Sequence, residues 1–416
     1  MHVCIIGGGV IGVAAAWQLA QRGAQVSLVE ARRQVAELTS HANGGQLSYS
    51  YVAPLAEPGV LPHLPAWLLR RDSPLRFRPR LDPLQWRWGL AFLRACNARQ
   101  AAASTAQMLG LAALSRATLQ AWMRDLPLEF HHVENGKLIV YRHAGPLGKA
   151  RAQVQLQAGL GGARQQVLSV DACVALEPAL APVAAALAGG LYTPSEASGD
   201  CRTFTQSLFG HWVARSGQSA WMATRAVGFR REGRRVRALR LDDGREIEAD
   251  QFVVAGGLGS RDLLRRLGYA PLLYGLKGYS LTVPGAAGCA PAISVTDYER
   301  RTVYVRLGDR LRVSAMVGMG LKGLAPEPDR IAQLRREASA FVPRADFGHA
   351  EAWAGQRPAT PHGRPLVGRC PGMDNVWLNT GHGALGFTLA CGSAHLLDTL
   401  MAGEPPAIDP APFAPR

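Results

Sequence analysis

The chain is short of lysine and of acid. Of its 46 basic residues four are lysines and 42 are arginines, and 31 acidic residues leave a formal net charge of +15. Such a bias points to an arginine-favouring genome, with part of the charge decorating ordinary surface. No basic run of nucleic-acid type and no RNA-binding signature is present, so nucleic acid is not an expected partner. The seven cysteines are scattered, odd in number and form no CxxC pair. That pattern excludes a disulfide framework and leads us to expect free thiols in a reducing compartment and no bound metal. No run reaches the roughly 18 consecutive apolar residues of a membrane span. The N-terminus has no basic region ahead of its first apolar run, so no secretory signal is expected. The expected location is the cytoplasm, or the cytoplasmic face of the inner membrane. What remains is 416 residues, 48% hydrophobic, enough for two domains or one elaborate one.

The most informative stretch is Met1 to Glu30. Cys4-Ile5-Ile6 reads as a buried strand, and Gly7-Gly8-Gly9-Val10-Ile11-Gly12 follows directly. A helix is expected from Val10 to Arg22, with Gly23 as its stop, then a strand from Gln25 to Val29 ending at Glu30. Strand, glycine turn, helix, strand and acid together form the dinucleotide-binding fingerprint. Gly7 permits the tight turn, Gly9 clears the approach of a pyrophosphate, and Gly12 lets the helix lie close to the strands. The helix N-terminus then offers unpaired N–H groups to the phosphates. Glu30 suits hydrogen bonds from an adenosine ribose and disfavours a 2′-phosphate.

Further on, Thr39 to Ser48 is a small, polar, glycine-bearing loop, open to reading as a ligand loop or a plain surface loop. In the stretch from Leu64 to Leu90 aromatic and arginine residues interleave. It reads either as an amphipathic segment on an anionic lipid surface or as a packed helix with arginines reaching outward. Gln107 to Met123 has the spacing of a core-facing helix. Ala220 to Val254 reads as a β-meander that ends in a buried strand and Ala255-Gly256-Gly257. Half-buried strands are expected at Leu276–Val283 and Thr302–Arg306, where Tyr279 and Tyr304 either enter a pocket or pack the sheet. Trp353 to Pro361 is a kinked strand or loop in which Gly and Pro stiffen the backbone around Arg357, a residue type suited to bidentate capture of a carboxylate. Gly381-His382-Gly383-Ala384-Leu385-Gly386 and a helix from Phe387 to Met401 make a second glycine-preceded helix N-terminus.

These segments, with Gly189–Gly199 and Gly355–Gly368, resemble the FAD-dependent D-amino acid oxidase and glycine oxidase superfamily over essentially the whole chain. The nearest likeness is to the bacterial D-amino acid dehydrogenases of small-subunit type. The resemblance implies an α/β protein: a Rossmann-like FAD-binding domain of GR2 type plus a substrate domain with a mixed or antiparallel β-sheet. The expected division is 1–55, 150–265 and 355–416 for FAD, and 56–149 and 266–354 for substrate. FAD would be held by Gly7, Gly9, Val10, Ile11, Gly12, Glu30, Ala31, Ser40, Ala42, Asn43, Gly44, Gly45, Gln46, Leu47, Val227, Ala255, Gly256, Gly257, Gly381, His382, Gly383, Leu385, Gly386 and Thr388. The second helix N-terminus suits negative charge on a reduced flavin.

Arg357 would clamp the substrate carboxylate, helped by Tyr279 or Tyr304. His382 would contact the flavin, accept a proton, or hydrogen-bond within its turn. The implied reaction is hydride transfer from Cα of a D-amino acid to FAD, giving a 2-oxo acid and ammonia in D-amino acid catabolism. Electrons would pass to a quinone or another carrier. Oxidation of a cyclic or secondary amino acid (D-proline, hydroxyproline, sarcosine) and use of oxygen remain alternatives. Where related dehydrogenases commonly read Thr-Pro-Asp-Gly, this chain has Thr360-Pro361-His362-Gly363, with histidine in place of the acid.

Overall fold

The computed structural model describes the whole chain except residues 53, 64–72 and 159–163. The Leu64–Arg71 part of the aromatic, arginine-rich stretch therefore lies outside the described residues.

The first strand, His2–Ile6, pairs in parallel with Gln25–Val29 on one side and Gln251–Val254 on the other. With neighbours on both edges and layers on both faces, its residues after His2 are all buried. This is why the segment reads as an unbroken apolar run instead of alternating. Among the described residues the sheet has six strands, in the order Leu366–Arg369, Val376–Thr380, Gln251–Val254, His2–Ile6, Gln25–Val29, Ser219–Trp221. Only the Leu366–Arg369 edge strand runs antiparallel. Strands from the beginning, middle and end of the chain thus build one Rossmann-like sheet. Helices Val10–Gln21, Cys201–Val213, Gly386–Ala402 and Ala98–Asp125 share the core on one face. The antiparallel strands Ala226–Glu232, Arg235–Leu241 and Glu246–Glu248, with helix Gly259–Arg265, cover the other.

Helix Gly386–Ala402 and the turn before it are long and apolar enough to cross a membrane by length and composition. Packing accounts for that character. The helix is buried between Val10–Gln21 and Ala98–Asp125, where a Cβ at Gly392 would lie 2.6 Å from the Leu111 carbonyl oxygen. The small residues around Gly392 let the two helices cross closely.

Among the described residues a second, mixed sheet has nine strands. Its path runs Glu351–Ala359, Tyr274–Val283, Arg310–Met319, Thr302–Leu307, Ser294–Asp297, Lys137–Tyr141, Gly189–Thr193, Gln166–Leu168, and Leu75–Phe77 adds to Arg310–Met319. Most pairings are antiparallel; Ser294–Asp297 with Lys137–Tyr141 and Leu75–Phe77 with Arg310–Met319 are parallel. Helix Pro328–Phe341 packs on its far face.

The boundaries expected at 150 and 355 cut across this sheet. Gly189–Thr193 pairs along its length with Lys137–Tyr141, although its two glycines carry little strand signal. Glu351–Ala359 is a continuous strand, paired with its neighbour from Tyr274–Ala359 to Thr282–Glu351. A register shift between Lys277 and Tyr279 bulges the facing strand, and Met316 there takes φ +67°. A non-glycine residue in the left-handed region at a bulge marks a place where backbone strain is tolerated to aim something.

Candidate functional site

The glycine turn has the close approaches its spacing predicts. Gly7 has φ +117°, and a Cβ there would sit 2.7 Å from the Ala255 carbonyl oxygen. A Cβ on Gly12 would overlap the Gly7 carbonyl. Gly8 N–H donates to Glu30 Oε2 at 2.6 Å, and Arg32 N–H donates to Oε1 at 2.8 Å. Burial raises the Glu30 carboxyl above its ordinary range even so. Helix Val10–Gln21 starts at Gly9 with no side-chain cap and no acid in its first turn. Of its first N–H groups, that of Val10 donates to Ser40 Oγ at 3.1 Å.

This turn opens onto a cavity of about 1130 Å³ that runs between the two sheets. The upper end of ordinary small-molecule pockets is about 1,000 Å³, so the space suits a long ligand with room beside it. All the cofactor residues expected from the sequence line it except Gly12, which lies beneath the turn, and Leu47, which points into the helix-side core. Helix Gly386–Ala402 also starts at the cavity without a side-chain cap. Two uncapped helix N-termini thus face one space, each favouring negative charge. Asn379 lines the same cavity, with both amide atoms buried and unpartnered. A cradle that a Cβ would fill, two uncapped helix ends and orphaned amide atoms fit a bound dinucleotide cofactor.

Arg357 is part-buried in the cavity wall, where desolvation lowers its pKa. Nη1 donates to the Met316 carbonyl at 3.1 Å, and no carboxylate among the described residues lies within 4.0 Å of the guanidinium. The Met316 bulge therefore aims a carbonyl at the arginine. Gly278 leaves space for it, because a Cβ there would overlap the guanidinium. Tyr279 also borders the cavity, close enough to Arg357 to act on its charge. Its hydroxyl donates to Glu327, which also takes a 3.0 Å bond from Lys277 Nζ.

Two of the four expected catalytic residues are placed otherwise. Tyr304 does not line the cavity. It stacks on Phe341 at 4.0 Å on the far face of the sheet. Strand alternation is the cause: Val303 takes the cavity side, and its neighbour must point away. His382 lines the cavity, but Nε2 lies 3.1 Å from Ser393 Oγ and burial lowers its pKa to about 3. Burial favours the neutral imidazole, which is tied from its turn to the following helix; of the three roles expected, this geometry supports a structural hydrogen bond. His362 is outside the cavity. Its Nδ1 accepts from Arg364 N–H at 3.2 Å, and burial with the Arg364 charge lowers it to about 4.

The sequence reading missed Lys137 and Glu327. Lys137 lines the cavity at 4% exposure, and Nζ donates to Ser48 Oγ at 3.0 Å and lies 4.5 Å from the Tyr51 ring centre. Among the described residues it has no carboxylate within 4.0 Å. The available signal was its rarity: a lysine opening the apolar strand Lys137–Tyr141 in a chain that uses arginine almost everywhere else. Glu327 gave no signal, since its partners come from a strand about fifty residues away.

An uncapped βαβ turn with an acid at the end of its second strand, joined to a cavity walled by a second sheet, is the architecture of a dinucleotide-dependent oxidoreductase. The chain belongs to the family of FAD dependent oxidoreductases called DAO, whose sequence model matches residues 2–400. FAD is therefore its cofactor. It is 48% identical to "D-amino acid dehydrogenase 2" of Ralstonia nicotianae over 425 residues, covering 100% of this chain and 99% of that protein. It is 47% identical to "D-amino acid dehydrogenase 2" of Pseudomonas aeruginosa over 420 residues, covering 100% and 98%. Among solved structures, glycine oxidase from Geobacillus kaustophilus superposes with a TM-score of 0.77 at 22% identity, covering 100% of this chain and 98% of that one. That likeness bears on the fold.

Burial lowers the Lys137 pKa to about 8 from its ordinary 10.5. The folded state thus binds fewer protons than the unfolded state between those values, and stability rises with pH across that window. Relative to Lys137→Met, the wild-type holoenzyme gains about 2 kcal/mol between pH 8 and pH 10 in paired denaturant titrations. A pH-independent difference would show that Lys137 is not buried as a strained cation.

Proposed function

We propose that the chain oxidatively deaminates D-amino acids to 2-oxo acids and ammonia and passes the electrons to a quinone or another acceptor other than oxygen. The observation that carries this reading is the part-buried guanidinium of Arg357, with no carboxylate among the described residues in contact with it, in the wall of the cavity that both helix N-termini face. The names of the 47–48% identical relatives support the same reading. When bound, FAD supplies the acceptor for the hydride that leaves Cα, and water hydrolyses the resulting imino acid.

The chain's own residues orient and stabilise. Arg357 fixes the substrate carboxylate through a two-point fork, so the angle at Cα is set by the protein. Glu30 holds the ribose, the Gly7–Gly12 turn the pyrophosphate, and Gly381 to Thr388 the flavin ring. The uncapped start of helix Gly386–Ala402 favours negative charge developing beside it. His382 keeps that turn in shape through Ser393. Tyr279 borders Arg357 with its proton committed to Glu327. The FAD-binding and substrate domains divide along the two sheets.

The peripheral partner is an anionic membrane surface. Helix Pro83–Ala95 buries Gln85, Trp88, Phe92 and Ala95 and leaves Trp86, Leu90 and Leu93 about half exposed, with Arg87 and Arg94 beside them. Its inner face packs in one cluster with Val60, which lines the cavity. Apolar residues flanked by arginines at helical spacing suit the interfacial zone of a bilayer. The seven free thiols suit its cytoplasmic side.

Anaerobic titration of the flavin spectrum with D-alanine, L-alanine and D-proline tests the reaction. Bleaching by D-alanine and not L-alanine, without peroxide formation in air, is the expected result. Bleaching by D-proline alone would transfer the reading to cyclic amines, and no response to any of them would remove the substrate class. For the membrane contact, wild type should co-sediment with phosphatidylglycerol vesicles and Trp86→Glu/Leu90→Glu should not. Equal partition of the two proteins would remove this surface from the account.

A further inference from the structure

Behind the cofactor loop lies a second, smaller cavity of about 140 Å³. Ala42 borders both spaces, so the loop around Ala42 and Asn43 is the wall between them. Three guanidinium groups line the smaller one: Arg202, Arg310 and Arg312.

Their protein partners do not satisfy them. Arg312 is 4% exposed. Nε donates to Thr282 Oγ1 at 2.8 Å and Nη1 to the Asn43 carbonyl at 3.0 Å, while Nη2 has no partner among the described residues. Among the described residues no carboxylate lies within 4.0 Å of it. Arg202 also lacks an ion pair, and its Nε is buried without a hydrogen bond. Arg310 alone is paired, with Asp200 Oδ2 at 3.1 Å and at longer range Asp309. The Asp200 carboxylate is otherwise used as a helix cap, because Oδ1 accepts from the N–H groups of Arg202 and Thr203. Glu351, the other acid at the cleft, is largely in solvent beside His41. The cleft therefore holds a buried cation that Asp200 and Glu351 influence only from beyond contact distance, a second guanidinium with an orphaned donor, and three guanidinium groups against two carboxylates. Burying an unpaired charge is costly, and a bound anion removes the cost.

We infer that this cleft binds one small tetrahedral oxyanion, of the phosphate or sulfate class, held by the forks of Arg202, Arg310 and Arg312. Forked guanidinium donors match oxyanion geometry, and the volume admits one such ion and not a nucleotide. The site is coupled to the cofactor through the loop. Arg312 holds the Asn43 carbonyl, Ser280 Oγ holds the Ala42 carbonyl at 2.8 Å, and Asn43 Oδ1 accepts from Gly45 N–H at 3.0 Å. An anion that fixes Arg312 fixes this wall of the cofactor cavity, and by linkage FAD tightens the anion by the same factor.

The test is calorimetric titration of inorganic phosphate into the FAD-loaded enzyme at constant ionic strength, repeated with sulfate. One saturable event per chain is expected, and the rate of FAD release on dilution should fall in its presence. Arg202→Gln should weaken phosphate at least tenfold with the flavin spectrum retained. Gln206→Glu, which places an acid on the same cleft, should do likewise and serves if the first variant folds poorly. Comparable affinities for phosphate and sulfate would identify a general oxyanion site; a marked preference would name the ion. Absence of saturable binding, or binding unchanged in both variants, would overturn the inference.

Discussion

A guanidinium set in the cavity wall with no carboxylate among the described residues in contact with it is the constraint around which this end of the second sheet is arranged. Placing such a charge in the interior costs several kcal/mol unless something answers it. The answers here are partial. The Met316 carbonyl takes one donor, and the cost of reaching it is a bulged strand with a non-glycine residue in the left-handed region. Gly278 supplies the space a side chain would occupy. The remaining donors have no partner among the described residues and belong to a side chain that lines the cavity, where a bound carboxylate can complete them. The flanking network of Tyr279, Lys277 and Glu327 stiffens the wall from behind without neutralising the arginine.

On the cofactor side the same logic uses backbone dipoles instead of a side chain. Helices Val10–Gln21 and Gly386–Ala402 both begin at the cavity and neither carries a side-chain cap. Helix starts are often satisfied by Ser, Thr, Asp or Asn, as at Asp82, Asn97, Ser169 and Asp200, whereas Gly259–Arg265 and Pro328–Phe341 also begin without a side-chain cap. What sets Val10–Gln21 and Gly386–Ala402 apart is that they are long helices whose first N–H groups open onto a cavity large enough for an anionic ligand.

The sequence shows the cofactor half clearly because its signals are local. A turn that needs Gly7 and Gly12 at fixed spacing, and an acid at the end of the next strand, can be read within thirty residues. The helices at Val10 and Phe387 lie within a residue of their expected ends. The substrate half is less legible because its assignments depend on pairing. Gly189–Thr193 looks like a loop until Lys137–Tyr141 lies beside it. Tyr279 and Tyr304 looked equivalent, yet strand phase and one bulge leave the first at the cavity and send the second into the core against Phe341. Lys137 and Glu327 matter through contacts that no spacing in the sequence encodes.

The most direct measurement is the affinity of the oxidised holoenzyme for an unreactive carboxylate such as propionate, read from perturbation of the flavin spectrum in wild type and Arg357→Met. The account predicts saturable binding to wild type and at least a hundredfold loss in the variant, with FAD retained in both. Equal affinities in the two proteins would show that the part-buried guanidinium does not face the substrate carboxylate, and would contradict the account at its centre.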